Sequence, residues 1–142
     1  MTDTPKHIIP RVTPEAKEYF DGAVRGELRI QRCTTCRLHQ HYPRSACAHC
    51  GADTLEWITA SGRGTVLSFT VIRQHGVPPF DAWVPFVVAL VELEEFGARM
   101  LATMPSLAPE AARIGMPVVA AFRPATERVA FVDFRSADAV AG

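Results

Sequence analysis

A mainly β chain is predicted from three observations. Two C-x2-C pairs, Cys33–Cys36 and Cys47–Cys50, mark a small metal-held ribbon. Five valine- and phenylalanine-rich runs separated by glycine, proline or acidic turns follow after Gly64. Helical spacing of apolar residues is confined to one segment before the ribbon and a short stretch between the third and fourth of those runs. Five strands with a short helix between strands 3 and 4 is the layout of the OB-fold, a partly open barrel. The expected organisation is an arm and helix over 1–26, a zinc ribbon over 27–61, an OB-fold over 62–135 and a disordered tail over 136–142.

The arm, Met1–Pro10, has no periodicity and carries two prolines. Thr13-Pro14 supplies an N-cap and a proline at the first helical position, and Glu15 sits where the helix dipole favours an acid. Ala16, Tyr19, Phe20, Ala23 and Val24 share one face, so an amphipathic helix is predicted across Pro14–Arg25, ended by Gly26. Its aromatic face packs on this chain's own ribbon or barrel, or docks on another protein. The ribbon is predicted from strands Leu28–Cys33, Leu38–Tyr42 and Leu55–Ala60 around the two knuckles. Such a module is too small to bury a core of its own, so metal must hold it. The barrel strands are predicted at Thr65–Arg73, Phe86–Leu93, Arg99–Met104, Val118–Phe122 and Arg128–Phe134, with a helix at Pro109–Ile114.

The four cysteines are the only ones in the 142 residues. Four thiolates in two x2 turns close a tetrahedron around one Zn²⁺, which leaves no position for water or substrate and makes the metal structural. The x2 spacing and the absence of an apolar leader argue against two disulfides, and reduced thiols without a targeting signal point to the cytoplasm. Fifteen acidic and fifteen basic residues cancel, so the basic excess of a dedicated nucleic-acid binder is missing. No apolar run is long enough to span a bilayer.

Beyond the cysteines, the ordering of glycines and prolines resembles a family of acyl-CoA-associated proteins that join a rubredoxin-like zinc ribbon to an OB-fold, long catalogued as a domain of unknown function. The resemblance rests on Gly26-Glu27-Leu28, Arg32-Cys33-x2-Cys36, Tyr42-Pro43-Arg44-x2-Cys47-x2-Cys50-Gly51 and Leu55-Glu56-Trp57. It continues through Ser61-Gly62-Arg63-Gly64-Thr65-Val66, Ser68-Phe69-Thr70, the strand Pro85–Leu93 and Ile114-Gly115-Met116-Pro117-Val118. It covers about Phe20 to Phe134. One departure is Arg37, which follows the second cysteine where a glycine is common and tightens or tilts the first knuckle without touching the ligands. The resemblance implies a non-catalytic accessory subunit in a hetero-oligomer with a thiolase-fold thiolase or aldolase, or with a hydratase. The thiolase-fold chain then carries the nucleophile, and the small subunit stabilises it and helps hold the CoA thioester. In that setting Arg63, Arg73 and Arg99 are candidates for the CoA phosphates.

Independent chemistry finds little support in the residues. His39, His41 and His49 lie near a completed thiolate shell and read as supporting or solvent-facing groups. His75 has no partnered acid or nucleophile, and Glu92, Glu94 and Glu95 read as a solvated strand end. The stiff loop Gln74–Trp83 carries Phe80 and Trp83, which either anchor a partner or fold over the barrel. Tyr19, Phe20, Phe80 and Trp83 are therefore the candidate partner contacts. Two other functions fit the modules: single-strand nucleic-acid binding, and electron transfer with iron in place of zinc.

Overall fold

The structure is a computed structural model in which residues 8–76, 78 and 80–140 are described. A 3-10 turn at Pro14–Ala16 leads into α1 (Lys17–Arg25). The Thr13 side chain makes no capping hydrogen bond, so proline geometry rather than a cap starts the helix. Gly26 ends it at φ 82°, a left-handed conformation open to glycine, with Gly26 N–H donating to Ala23 and Glu27 N–H to Gly22. The expected arm Met1–Pro10 falls for its first seven residues outside the described part.

The first sheet has the order β2-β1-β3, from β1 (Arg29–Cys33), β2 (His39–Gln40) and β3 (Leu55–Thr59), all antiparallel. β2 is shorter than the predicted Leu38–Tyr42 because beyond Gln40 the chain turns toward the second knuckle. The second sheet contains β4 (Arg63–Ile72), β5 (Phe86–Leu93), β6 (Arg99–Met104), β7 (Pro117–Pro124) and β8 (Ala130–Ser136), in the order β6-β5-β4-β7-β8. A register shift between Val66 and Ser68 bends β4, the device by which a barrel strand turns a corner. The two outer strands meet across a seam where the Thr103 hydroxyl of β6 donates to Asp133 Oδ1 of β8 at 2.7 Å. This is an OB-type barrel.

One expectation is corrected in extent. The helix at Pro109–Ile114 is a single 3-10 turn, Pro109–Ala111, since Ala112 already has extended geometry. Of the tail expected over 136–142, Ser136 completes β8 and α2 (Ala137–Val140) is a helical turn beside β7 and β8, while Ala141 and Gly142 lie outside the described residues.

One hydrophobic core runs through both modules. Val66, Val87, Val91, Met100, Met104, Val118 and Phe134 fill the barrel, and Ala23, Leu28, Ile30 and Ala60 extend the same cluster under the helix and ribbon. The base of the ribbon is thus anchored in the barrel's core, and only its knuckle end is left to metal and hydrogen bonds.

Candidate metal centre

Cys33 closes β1, Cys36 sits in the turn before β2, and Cys47 and Cys50 flank a second turn before β3. All four Sγ atoms lie within 4.8 Å of one another. Cys33 and Cys50 are 3.7 Å apart and Cys36 and Cys47 3.6 Å. Sulfurs about 2.3 Å from a central zinc stand roughly 3.8 Å apart along each tetrahedral edge, which these two pairs match, so the four thiols are gathered at the scale of a zinc site. Backbone amides point at the sulfurs: Cys36 N–H donates to Cys33 Sγ at 3.5 Å, and His49 and Cys50 N–H to Cys47 Sγ at 3.3 and 3.4 Å. The Cys36 amide is the main reason the Cys33 thiol is held down to about 6, favouring the thiolate that a metal needs.

The two knuckles repeat one backbone pattern. Arg37 N–H donates to Cys33 C=O at 2.8 Å, and Gly51 N–H to Cys47 C=O at 2.9 Å. Gly51 meets this turn at φ 83°, and Arg37 meets it at φ 69°, the single non-glycine with positive φ among the described residues. The departure noted in the sequence therefore keeps the backbone shape and carries the strain of a Cβ in the left-handed region.

Sequence reasoning missed the buried polar network behind the knuckles. Gln40 Nε2 donates to Gln31 Oε1 at 2.7 Å, Arg44 N–H donates to the same oxygen at 2.9 Å, and Gln31 Nε2 returns a bond to Arg44 C=O at 2.9 Å. Ala48 N–H donates to Gln40 Oε1 at 2.7 Å. Both glutamines are about 95% buried. They pin the loop before Cys47 to the hairpin that carries Cys33. Glutamine in a short polar strand looks like a surface residue, and only the facing register Gln31↔Gln40 betrays the pairing.

The histidines support the ribbon from outside the cage. His39 N–H donates to Phe96 C=O at 2.9 Å, and a ring nitrogen of His49 lies 3.0 Å from His39 C=O. Phe96 belongs to the β5–β6 turn, so this contact fastens ribbon to barrel. His41 packs between the rings of Tyr19 and Tyr42, 4.9 and 4.2 Å between centroids, and burial pushes its pKa down to about 4. His75 is exposed. The acidic group after β5 is engaged locally: Arg99 pairs with Glu92, Arg63 with Glu94, and Glu95 accepts from Ser61 N–H.

The candidate arginines do not converge. Arg63 opens β4 and Arg73 lies just past its end, about 30 Å of extended chain apart, while Arg99 shares the Arg63 end through Glu92. The aromatic candidates divide as well. Tyr19 packs against the core with its phenol held protonated, chiefly by burial, and Phe20 meets it edge-on at 5.1 Å. Phe80 and Trp83 form a cluster with Phe86, at the start of β5, and Arg123 stacks on Trp83 at 4.9 Å and on Phe131 at 4.7 Å. Arg123 also grips Asp133 through two bonds of 2.7 and 3.1 Å. The sequence offered no sign of this cation, because Arg123 and Asp133 meet only through the β7–β8 pairing.

Comparison with known proteins covers both modules. Residues 20–56 match the ChsH2 rubredoxin-like zinc ribbon domain, and residues 57–123 match the ChsH2 C-terminal OB-fold domain. A probable enoyl-CoA hydratase alpha subunit of Thermomonospora curvata is 36% identical over 135 residues, which is 94% of this chain and 41% of that protein. The 3-oxo-4,17-pregnadiene-20-carboxyl-CoA hydratase alpha subunit of Mycobacterium tuberculosis is 41% identical over 113 residues, 80% of this chain and 35% of that one. The chain thus spans about two fifths or less of the length of these two relatives. Among solved structures, a chain of the Ltp2-ChsH2(DUF35) aldolase superposes with a TM-score of 0.79 at 35% identity, covering 91% of this chain and 99% of its own.

Proposed function

Since the chain belongs to the ChsH2 family of paired zinc-ribbon and OB-fold (DUF35) domains, we propose that it is a zinc-containing accessory subunit of an acyl-CoA enzyme whose catalytic chain has the thiolase fold. The observation that carries the reading is the match, at 35% identity and over 99% of its length, to a chain of an aldolase named for both Ltp2 and ChsH2(DUF35). The two hydratase relatives are named as alpha subunits, which supports work beside a partner. Within this chain the chemistry-bearing side chains are given to structure. The thiols form a cage, His39 and His49 join backbone segments, and His41 is enclosed by tyrosines.

Cys33, Cys36, Cys47 and Cys50 would hold one zinc, which supplies no chemistry beyond clamping the two knuckles once four thiolates fill its shell. The partner would dock on the face bearing Phe20 and the Phe80–Trp83 loop, with Tyr19 supporting Phe20 from behind. If the chain touches CoA, either Arg63 with Arg99 or Arg73 meets the phosphates, since the two groups sit at opposite ends of β4. Neither a nucleic-acid module nor an electron carrier accounts for the relatives.

Acyl-CoA turnover tests the proposal. The chain alone should turn over no acyl-CoA thioester, and adding it to its cognate thiolase-fold chain should raise that partner's activity or solubility. Steady turnover by the purified chain after removal of contaminants would overturn it.

A further inference from the structure

Strand pairing leaves one edge of the ribbon sheet open. Between β1 and β3, Ala60 N–H donates to Leu28 C=O and Thr34 N–H to Thr54 C=O, both at 2.8 Å. These bonds bracket the register Ile30↔Ile58 and Arg32↔Glu56, so in this antiparallel pair Glu56 and Ile58 turn their backbone groups to β1 while Leu55, Trp57 and Thr59 turn theirs away. β3 is the last strand of its sheet, and among the described residues those three N–H and three C=O groups have no hydrogen-bond partner.

Two other strand edges are closed. At the free edge of β2 the outward His39 N–H donates to Phe96 C=O at 2.9 Å, and at the outer edge of β6 Leu101 N–H donates to the Tyr42 hydroxyl at 3.3 Å. β3 has no such cover. It also lacks the devices that keep an open edge from pairing: it carries no proline, no lysine and no bulge, and its one charge, Glu56, is paired with Arg32 at 2.9 Å.

What fits such an edge is backbone, an extended segment of about five residues that adds a fourth strand to the sheet. The strip it would cover is about 14 Å long and one strand wide. That is far below the roughly 1,000 Å² that holds two proteins together, so two copies of this chain would not stay joined by β3 alone. The added strand must belong to a molecule that a second surface holds. α1 supplies the link: Glu18 accepts from Arg29 at 2.9 Å and Arg29 donates to Thr59 Oγ1 at 2.7 Å, which ties the helix that carries Phe20 to the end of the open edge.

We propose that β3 takes an extended strand of the partner subunit, hydrogen-bonded to the backbone of Leu55, Trp57 and Thr59. This rests on the proposed role beside a thiolase-fold chain. The incoming residue opposite Trp57 should be β-branched or aromatic, the cross-strand pairing that a tryptophan favours.

Hydrogen exchange resolved to single amides tests this, first on the full-length chain and then on its complex with the cognate thiolase-fold chain. In the chain alone Glu56 and Ile58 should be protected while Leu55, Trp57 and Thr59 exchange freely; in the complex the last three should slow at least tenfold. Trp57→Pro and Leu55→Pro each delete an outward N–H that the fold does not use, and either should weaken association at least tenfold, about the size of one hydrogen bond. One folded variant suffices, and the exchange result stands without them. Trp57→Val keeps the N–H and should weaken association less. Absence of a complex with the wild-type chain would overturn both this inference and the proposed function. A complex that forms without added protection at the three amides overturns the inference alone, as do undiminished association of a folded proline variant and an equal loss in Trp57→Val and Trp57→Pro. Protection that rises with concentration in the chain alone assigns the edge to a second copy and also overturns it.

Discussion

Replacing Gln31 with leucine tests whether the knuckle end of the ribbon is held by the amide network as well as by metal. Gln31 makes three bonds at 2.7 to 2.9 Å, with Gln40, Arg44 N–H and Arg44 C=O. Leucine fills similar space but satisfies none of them. A buried polar group left without a partner costs about 1–3 kcal/mol. Arg44 is exposed, so water can reach part of its backbone, and Gln40 Nε2 keeps a 3.4 Å contact to Ala46 C=O. Counting two of the three groups as lost gives about 3 kcal/mol. For a chain of this size that lowers the melting temperature by about 10 °C. If zinc leaves through local opening of the knuckles, release to a chromogenic chelator should accelerate about 100-fold, by the same free energy. Gln31→Leu with an unchanged melting temperature and an unchanged release rate would refute the network's role and leave the metal as the sole clamp.

Metal analysis should find about one zinc per chain, and Cys47→Ala should lose it; because Leu28, Ile30 and Ala60 belong to the barrel core, exchange protection should vanish from the knuckles and persist in the barrel. Arg37→Gly relieves a left-handed residue at φ 69° and should stabilise the ribbon by up to about 1 kcal/mol in denaturant titration; a loss of that size would show that the Arg37 side chain matters more than its backbone. His41 has a folded-state pKa depressed from 6.5 to about 4, so the unfolded chain takes up the proton first: stability is full above pH 6.5 and falls by about 2–3 kcal/mol as pH drops toward 4. His41→Phe should remove that part of the acid sensitivity, and an identical pH–stability profile in the variant would contradict the assignment. Phe20→Asp should weaken association with the partner by a few kcal/mol while leaving zinc content and fold intact, and full partner binding by the folded variant would move the interface elsewhere.

The alternating runs in the barrel made its strands legible, because burial on one face writes period two into the residues. Phe86–Leu93 and Arg99–Met104 are predicted and observed at the same bounds. The cysteine cage was legible for a different reason: ligand spacing is local, and two x2 turns declare themselves without any tertiary information. What could not be read were relations set by pairing across the fold. The Gln31–Gln40 amides, the Arg123–Asp133 pair and the open edge of β3 each depend on strand register and sheet order. The helix at Pro109–Ile114 was overextended for a local reason, since a proline start and two alanines support one turn and the chain must then extend into β7.

Native mass spectrometry of the complex purified through this chain from its native host reads metal and partner together. An assembly is expected in which each 15.6 kDa chain carries one zinc and is bound to a thiolase-fold subunit that turns over acyl-CoA. A chain that travels alone, without metal, or with nucleic acid in place of an enzyme subunit would contradict it.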